Sequence, residues 1–208
     1  MTKPNRRKGH AADLTDKVVS IALAQAKARQ THSERNVALI LISLSTGLRA
    51  GEIASLTWRM VMDEDGNVGT TLTLPNDVAK WKSGAVLPLA KPLRDALQRL
   101  LDKTKETVGI EPNQPVFLSQ KGSQGLTRQA IVDLFRKIWA DAGSEGSSHS
   151  GRRYFITHAA RNVSSVGGSL KDVMHLARNK HMSTTQLYVA QNTKAQVELV
   201  NVISKGLR

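Results

Sequence analysis

Five side chains of this sequence have the types needed to break and remake a phosphodiester without a metal. They are Arg49 in STGLRAGEI, Lys80 in VAKWKSGAVLP, His149 and Arg152 in HSGRR, and Tyr188 at the end of LARNKHMSTTQLY. A phenol with an ordinary pKa of about 10 is mostly protonated at neutral pH and attacks well only where cations and a base assist it. Two guanidinium groups can clamp the non-bridging oxygens of a phosphodiester and stabilise the extra charge of its pentavalent transition state. An imidazole can take the phenol proton, and an ammonium can protonate the leaving alkoxide. Two divalent ions would do similar work, but they need a carboxylate cluster, and none stands at these stretches.

Each residue alone has a plainer account. Tyr188 is also what an amphipathic helix uses to pack a ring, and Lys80 and Lys82 are ordinary lysines for a hairpin tip. Arg49 with Glu52 three residues on is equally a helix-surface ion pair, worth about 0.2–0.5 kcal/mol. The chemical reading rests on all of them occurring together.

The rest of the chain agrees with a polyanionic partner. Its 208 residues fit one domain, and 30 Lys and Arg against 17 Asp and Glu leave a net charge of +13. A membrane surface is the other partner such charge suits. No run of apolar residues is long enough to span one, and no apolar segment follows the basic start as a signal peptide requires. A cytoplasmic, intracellular protein is the expectation. Without cysteine, disulfides, thiolate metal sites and cysteine nucleophiles are excluded.

The elements that must position these groups follow from pattern. Residues 1–12 carry Lys3, Arg6, Arg7 and Lys8 without apolar periodicity and are expected to form a flexible basic arm. LTDKVVSIALAQAKA is a helix capped by Thr15 or Asp13, with Leu14, Val18, Ile21, Leu23 and Ala24 near its apolar face. ERNVALILISLS, apolar nearly all round and ending at Thr46-Gly47, is the central buried helix. Arg49 follows it on a rigid support, before a short helix AGEIASL, with Glu52 placed to orient it. WRMVM, GTTLTLP and AVLPL are expected strands of a small antiparallel sheet, turned at Asp63–Asn67 and again around Lys80 and Lys82. Helices follow at 91–105, at 128–143 after a Thr127 cap, from about Arg152, and over SLKDVMHLA. Small residues from Gly143 to Ser148 are expected to make a flexible approach to His149. The STTQLYVAQ helix bears Tyr188, and a last helix carries Val197, Val200 and Ile203 on one face.

At these residues the sequence resembles the tyrosine recombinase (phage integrase) family. TGLRAGEIASLTW is similar to the first arginine box of that family, HSGRRYFITHAA to its H-x-x-R box, and STTQLYV to its nucleophile box. Lys80 falls where the family's hairpin lysine falls. The resemblance covers about residues 13–205 and implies a mixed α/β, mainly α-helical catalytic domain with a small antiparallel sheet. It implies a site-specific recombinase in which Tyr188 attacks a DNA phosphate to give a 3′-phosphotyrosine and a free 5′-hydroxyl. In that scheme Arg49 and Arg152 bind the phosphate, His149 is the acid and base, and Lys80 is the general acid. Lys82, the alternative hairpin lysine, and Arg153 become DNA contacts. The implied partner is double-stranded DNA, with self-assembly into a synaptic tetramer through the C-terminal helix, and neither ATP nor a metal cofactor.

The sequence departs from that pattern in three places. The histidine or tryptophan usual nine residues before the tyrosine, in an L-G-H triplet, is Asn179, preceded by Arg178 instead of glycine. Asn179 can donate one hydrogen bond but cannot be a cation, and His181 is its nearest substitute. Gly151 stands for the apolar residue common inside the H-x-x-R box, which is expected to loosen the start of that helix. Only the basic arm precedes the catalytic domain, as in the small catalytic-only recombinases that invert promoters, or in a fragment of a larger integrase. Two other functions stay open: a DNA-binding protein on the same fold with weakened or lost cleavage, and a type IB topoisomerase-like nicking-closing enzyme.

Overall fold

The computed structural model describes residues 13–78, 84–119, 124–179 and 181–183. Lys80, Lys82, Tyr188, the basic arm 1–12 and the C-terminal helix lie outside the described residues.

The fold is built around α2 (Ser33–Thr46). Val37, Ala38, Leu39, Ile40, Ile42 and Leu44 are all buried along it, because α1 (Asp16–Ala28), α4 (Lys91–Val108) and α6 (Ser150–Asn162) pack on its different sides. An all-round apolar helix is stable only when enclosed in this way. Each fully buried Leu or Ile contributes about 1.5–3 kcal/mol. The helix ends where Gly47 turns left-handed at φ 61. A side chain there would also strike the ring of Phe155 on α6, 2.6 Å from where its Cβ would stand.

The other elements close the core. Thr15 caps α1, its Oγ1 accepting from the Val18 amide at 3.3 Å, and Thr127 caps α5 (Arg128–Asp141) in the same way. Pro92 in the first turn of α4 suits a position whose amide has no helical partner. β1 (Thr71–Leu74) and β2 (Ala85–Pro88) form one antiparallel pair with Leu72 opposite Leu87. That register points Leu72, Leu74 and Leu87 into the core. A short helix α3 (Ala50–Ala54) packs on α5, and α7 (Leu170–Leu176) follows a 3₁₀ turn, Val163–Val166, after α6. Among the described residues no helix is long and apolar enough to cross a membrane.

Three expectations are corrected. α1 buries Val19, Ala22 and Ala26 beside Leu14, whereas Val18, Ile21 and Leu23 are half-buried and Ala24 is exposed. The face of α1 turned inward against α2 and α5 is thus set by small side chains as well as by Val19 and Leu14. WRMVM is not a strand: Trp58–Met60 is a 3₁₀ turn, because Trp58 and Val61 both enter the core and a spacing of three suits a turn, not an alternating strand. Gly151 does not loosen the start of α6. A Cβ on it would lie 2.1 Å from the Ser43 hydroxyl of α2, so glycine is what lets the two helices touch.

Candidate active site

The site begins at the corner between α2 and α3. Leu48 is buried, and Arg49, extended at φ −78 and ψ 154, opens α3. Glu52, one turn into that helix, reaches back to it: Oε2 accepts from the Arg49 amide at 2.8 Å, and Oε1 accepts from Arg49 Nη1 at 3.0 Å. The pair is not on the surface. Glu52 is 3% exposed, whereas the Arg49 side chain keeps 23% of its surface open, so the arginine is anchored on one side and presented on the other.

The start of α6 supplies the second arginine. Arg152 is 5% exposed. Its Nη1 donates to the Gly47 carbonyl at 2.6 Å, and its Nη2 donates to the Ala177 carbonyl and, at 2.9 Å, to Asn179 Oδ1. One guanidinium therefore joins the end of α2, the start of α6 and the turn after α7. The close contact of Gly151 with Ser43 sets its height against Gly47. His149, at the N-cap of α6, is exposed. The residues before it, expected to be a flexible approach, are hydrogen-bonded: Trp139 Nε1 donates to the Ser147 carbonyl, the Ser147 amide donates to Ser150 Oγ, and the His149 amide donates to Ser147 Oγ.

The turn after α7 brings a third guanidinium that sequence reasoning left out. The Arg178 amide donates to His175 O and the Asn179 amide to Met174 O, the paired bonds of a helix end whose next residue is left-handed. Arg178 takes that position at φ 52, where glycine is usual and another residue costs roughly 1–2 kcal/mol. Its side chain is 4% exposed, and Nη2 donates to Glu52 Oε2 at 2.9 Å. Burial alone would raise the Glu52 carboxyl, but the Arg178 charge and the Arg49 bonds hold it below its ordinary range. Burial pulls Arg178 down, with Glu52 opposing. The only clue in the sequence was the departure itself, an arginine in a glycine position beside Asn179.

The structure thus links Arg49, Arg152 and Asn179 through Glu52, Arg178 and the Gly47 and Ala177 carbonyls. Asn179 meets Arg152 through its Oδ1, as an acceptor. His181 is exposed. Arg153 pairs with Asp13 on the outer side of α6, so contact with a phosphate requires it to exchange that carboxylate. The other tyrosine, Tyr154, donates to Asp16 at 2.8 Å, and burial together with that bond pushes its hydroxyl up to about 12. It is the opposite of an activated nucleophile.

The fold is thus a helical core around one apolar helix, with a buried arginine cluster at the end of that helix. The chain belongs to the phage integrase family, whose model matches residues 13–195. It is 30% identical over 158 residues to the tyrosine recombinase XerD of Listeria monocytogenes, covering 74% of this chain and 49% of that one. To the XerD of Brucella abortus it is 28% identical over 180 residues, covering 83% and 55%. The chain spans about half the length of these curated relatives. Its fold matches the crystal structure of XerA recombinase with a TM-score of 0.70 at 20% identity, over 96% of this chain and 66% of that one. It also matches XerH recombinase bound to a palindromic difH substrate, with a TM-score of 0.71 at 20% identity, over 98% and 56%.

Proposed function

We propose that this chain is a site-specific DNA strand transferase. Tyr188 Oη attacks a backbone phosphorus, the bond from phosphorus to the 5′ oxygen breaks, and a 3′-phosphotyrosine and a 5′-hydroxyl result. One ester replaces another, so the bond energy is kept and a 5′-hydroxyl can reverse the step without ATP. Arg49 and Arg152 hold the non-bridging oxygens, with Asn179 fixing Arg152. His149 exchanges the proton of the attacking group, and Lys80 protonates the leaving oxygen. Lys82, Arg153 and the basic arm add phosphate contacts, and the C-terminal helix couples protomers on DNA.

The observation that carries this reading is the anchoring of Arg49 and Arg152 at one corner of the fold, each braced from behind, in a chain of the phage integrase family. It is further supported by fold neighbours solved with DNA, an integrase with transposon right-end DNA and XerH with difH. The test is to incubate the chain with nicked, fragmented genomic DNA, trap covalent adducts in detergent and sequence their ends. Adducts on a recurrent site, absent from Tyr188→Phe while its DNA affinity stays within a few-fold, are expected. DNA binding without adduct would instead define a binding protein on this fold.

A further inference from the structure

We propose that Arg178 is a positioning residue of the strand-transfer site, holding Glu52 and through it the guanidinium of Arg49. The inference rests on the strand-transfer reading above for its consequence, but its structural basis is independent. Glu52 carries both arginines, with Oε1 on Arg49 Nη1, and Oε2 on Arg178 Nη2 and on the Arg49 amide. Arg49 holds both oxygens from its own helix, through its amide and Nη1. Arg178 adds a bond of 2.9 Å to Oε2 from the turn after α7 and supplies a second cation that keeps the buried carboxylate ionised, and so able to hold the Arg49 guanidinium where it leaves the α2–α3 corner.

Two features separate this from an ordinary structural ion pair. Arg178 is poorly provided for: among the described residues no acceptor meets its Nε or Nη1, although both are buried. It also occupies a left-handed position that glycine adopts freely. On both counts glycine would cost less at this position, so what the arginine supplies in return is its bond and its charge on the buried Glu52. Arg178 also braces the same turn that Arg152 grips through Ala177 and Asn179. The two arginines run in opposite directions across one gap, from α6 to the turn and from the turn to α3.

The experiment uses a DNA site trapped by the parental chain. Adduct formation at saturating protein, the dissociation constant and thermal unfolding are measured for Arg178→Gly, Arg178→Lys, Arg49→Ala and the double variant Arg49→Ala with Arg178→Gly. Arg178→Gly is expected to form adduct about tenfold more slowly, the size of a displaced phosphate donor. Its Kd should stay within about threefold, thermal unfolding should show it folded at the assay temperature, and Arg178→Lys, which keeps a cation for Glu52, should recover part of the rate. Because Arg178 acts through Arg49, the double variant is expected to be no slower than Arg49→Ala. A parental rate in Arg178→Gly, or penalties that multiply in the double variant, overturns the proposal. If Arg178→Gly fails to fold, the same cycle with Arg178→Lys decides it. If the parental chain forms no adduct, the strand-transfer reading has failed instead. The positioning role is then decided by nitrogen NMR of Arg49, whose Nη signals should be resolved in the parent and averaged by faster rotation in Arg178→Gly. Unchanged signals overturn it.

Discussion

The two long faces of α6 hold the molecule together in different ways. The inner face, Gly151, Arg152, Phe155 and Ile156, meets α2 and the turn after α7 through a glycine contact, a buried guanidinium and tight carbonyl acceptors. The outer face, Arg153, Tyr154 and His158, meets the start of α1 through Asp13 and Asp16, whose side chains are 71% and 79% exposed. Water screens the outer bonds and can replace them; it cannot replace the inner ones. The difference teaches that one helix can present a rigid site and an adjustable surface at once, depending only on what lies opposite each face.

That contrast can be broken most severely at Arg152. Arg152→Ala is expected to slow adduct formation by about 10² or more, the scale of a lost donor at a developing oxyanion, as single-turnover kinetics would measure. It also leaves the Gly47 and Ala177 carbonyls without this donor, so a rate near that of the parent would remove the inner face from the chemistry. Next comes Gly151→Val, which forces side-chain atoms onto Ser43. Denaturant unfolding should register a loss of about 1–3 kcal/mol, and pairing it with Ser43→Gly should return part of that. Ser43→Ala alone should be near neutral, because among the described residues its buried hydroxyl has no hydrogen-bond partner to lose.

The smallest effects belong to the outer face. Asp16→Asn is expected to cost less than about 1 kcal/mol, as exposed pairs do. The pH dependence has a definite sign. Tyr154 is held neutral in the fold, with its hydroxyl raised from 10.0 to about 12. Its share of stability is therefore fully present below pH 10 and is lost as pH climbs toward 12. The difference between parental and Tyr154→Phe unfolding curves across that window should isolate the share. A difference that already changes with pH near neutrality would mean that another group is responsible.

Much of this was legible from residue types. An apolar run with no polar side made α2 the central helix, Gly47 marked its end, and Thr127 marked the start of α5. Arg49 and Glu52 were readable as a pair from their spacing. What was not legible depended on the partner across a contact. Ala22 and Ala26 carry little hydropathy signal, yet they line the buried face of α1. Gly151 reads as a weak helix residue until Ser43 is placed beside it. Arg178 reads as a lapse from a pattern until Glu52, 126 positions away, is found to need a second cation.

That separation has a consequence for how the protein is made. Arg152 finds Gly47 across 105 positions, and the Ala177 and Asn179 acceptors follow it by 25 and 27. Chain emerges from a ribosome in order, at about 5–20 residues per second. α2 and its corner are therefore synthesised several seconds before the groups that complete the cluster. A partial translation product holds Arg49 and Glu52 but neither the gripping arginine nor its turn. The arginine cluster therefore stays incomplete until the turn after α7 has been made, an order of assembly written in the order of the residues.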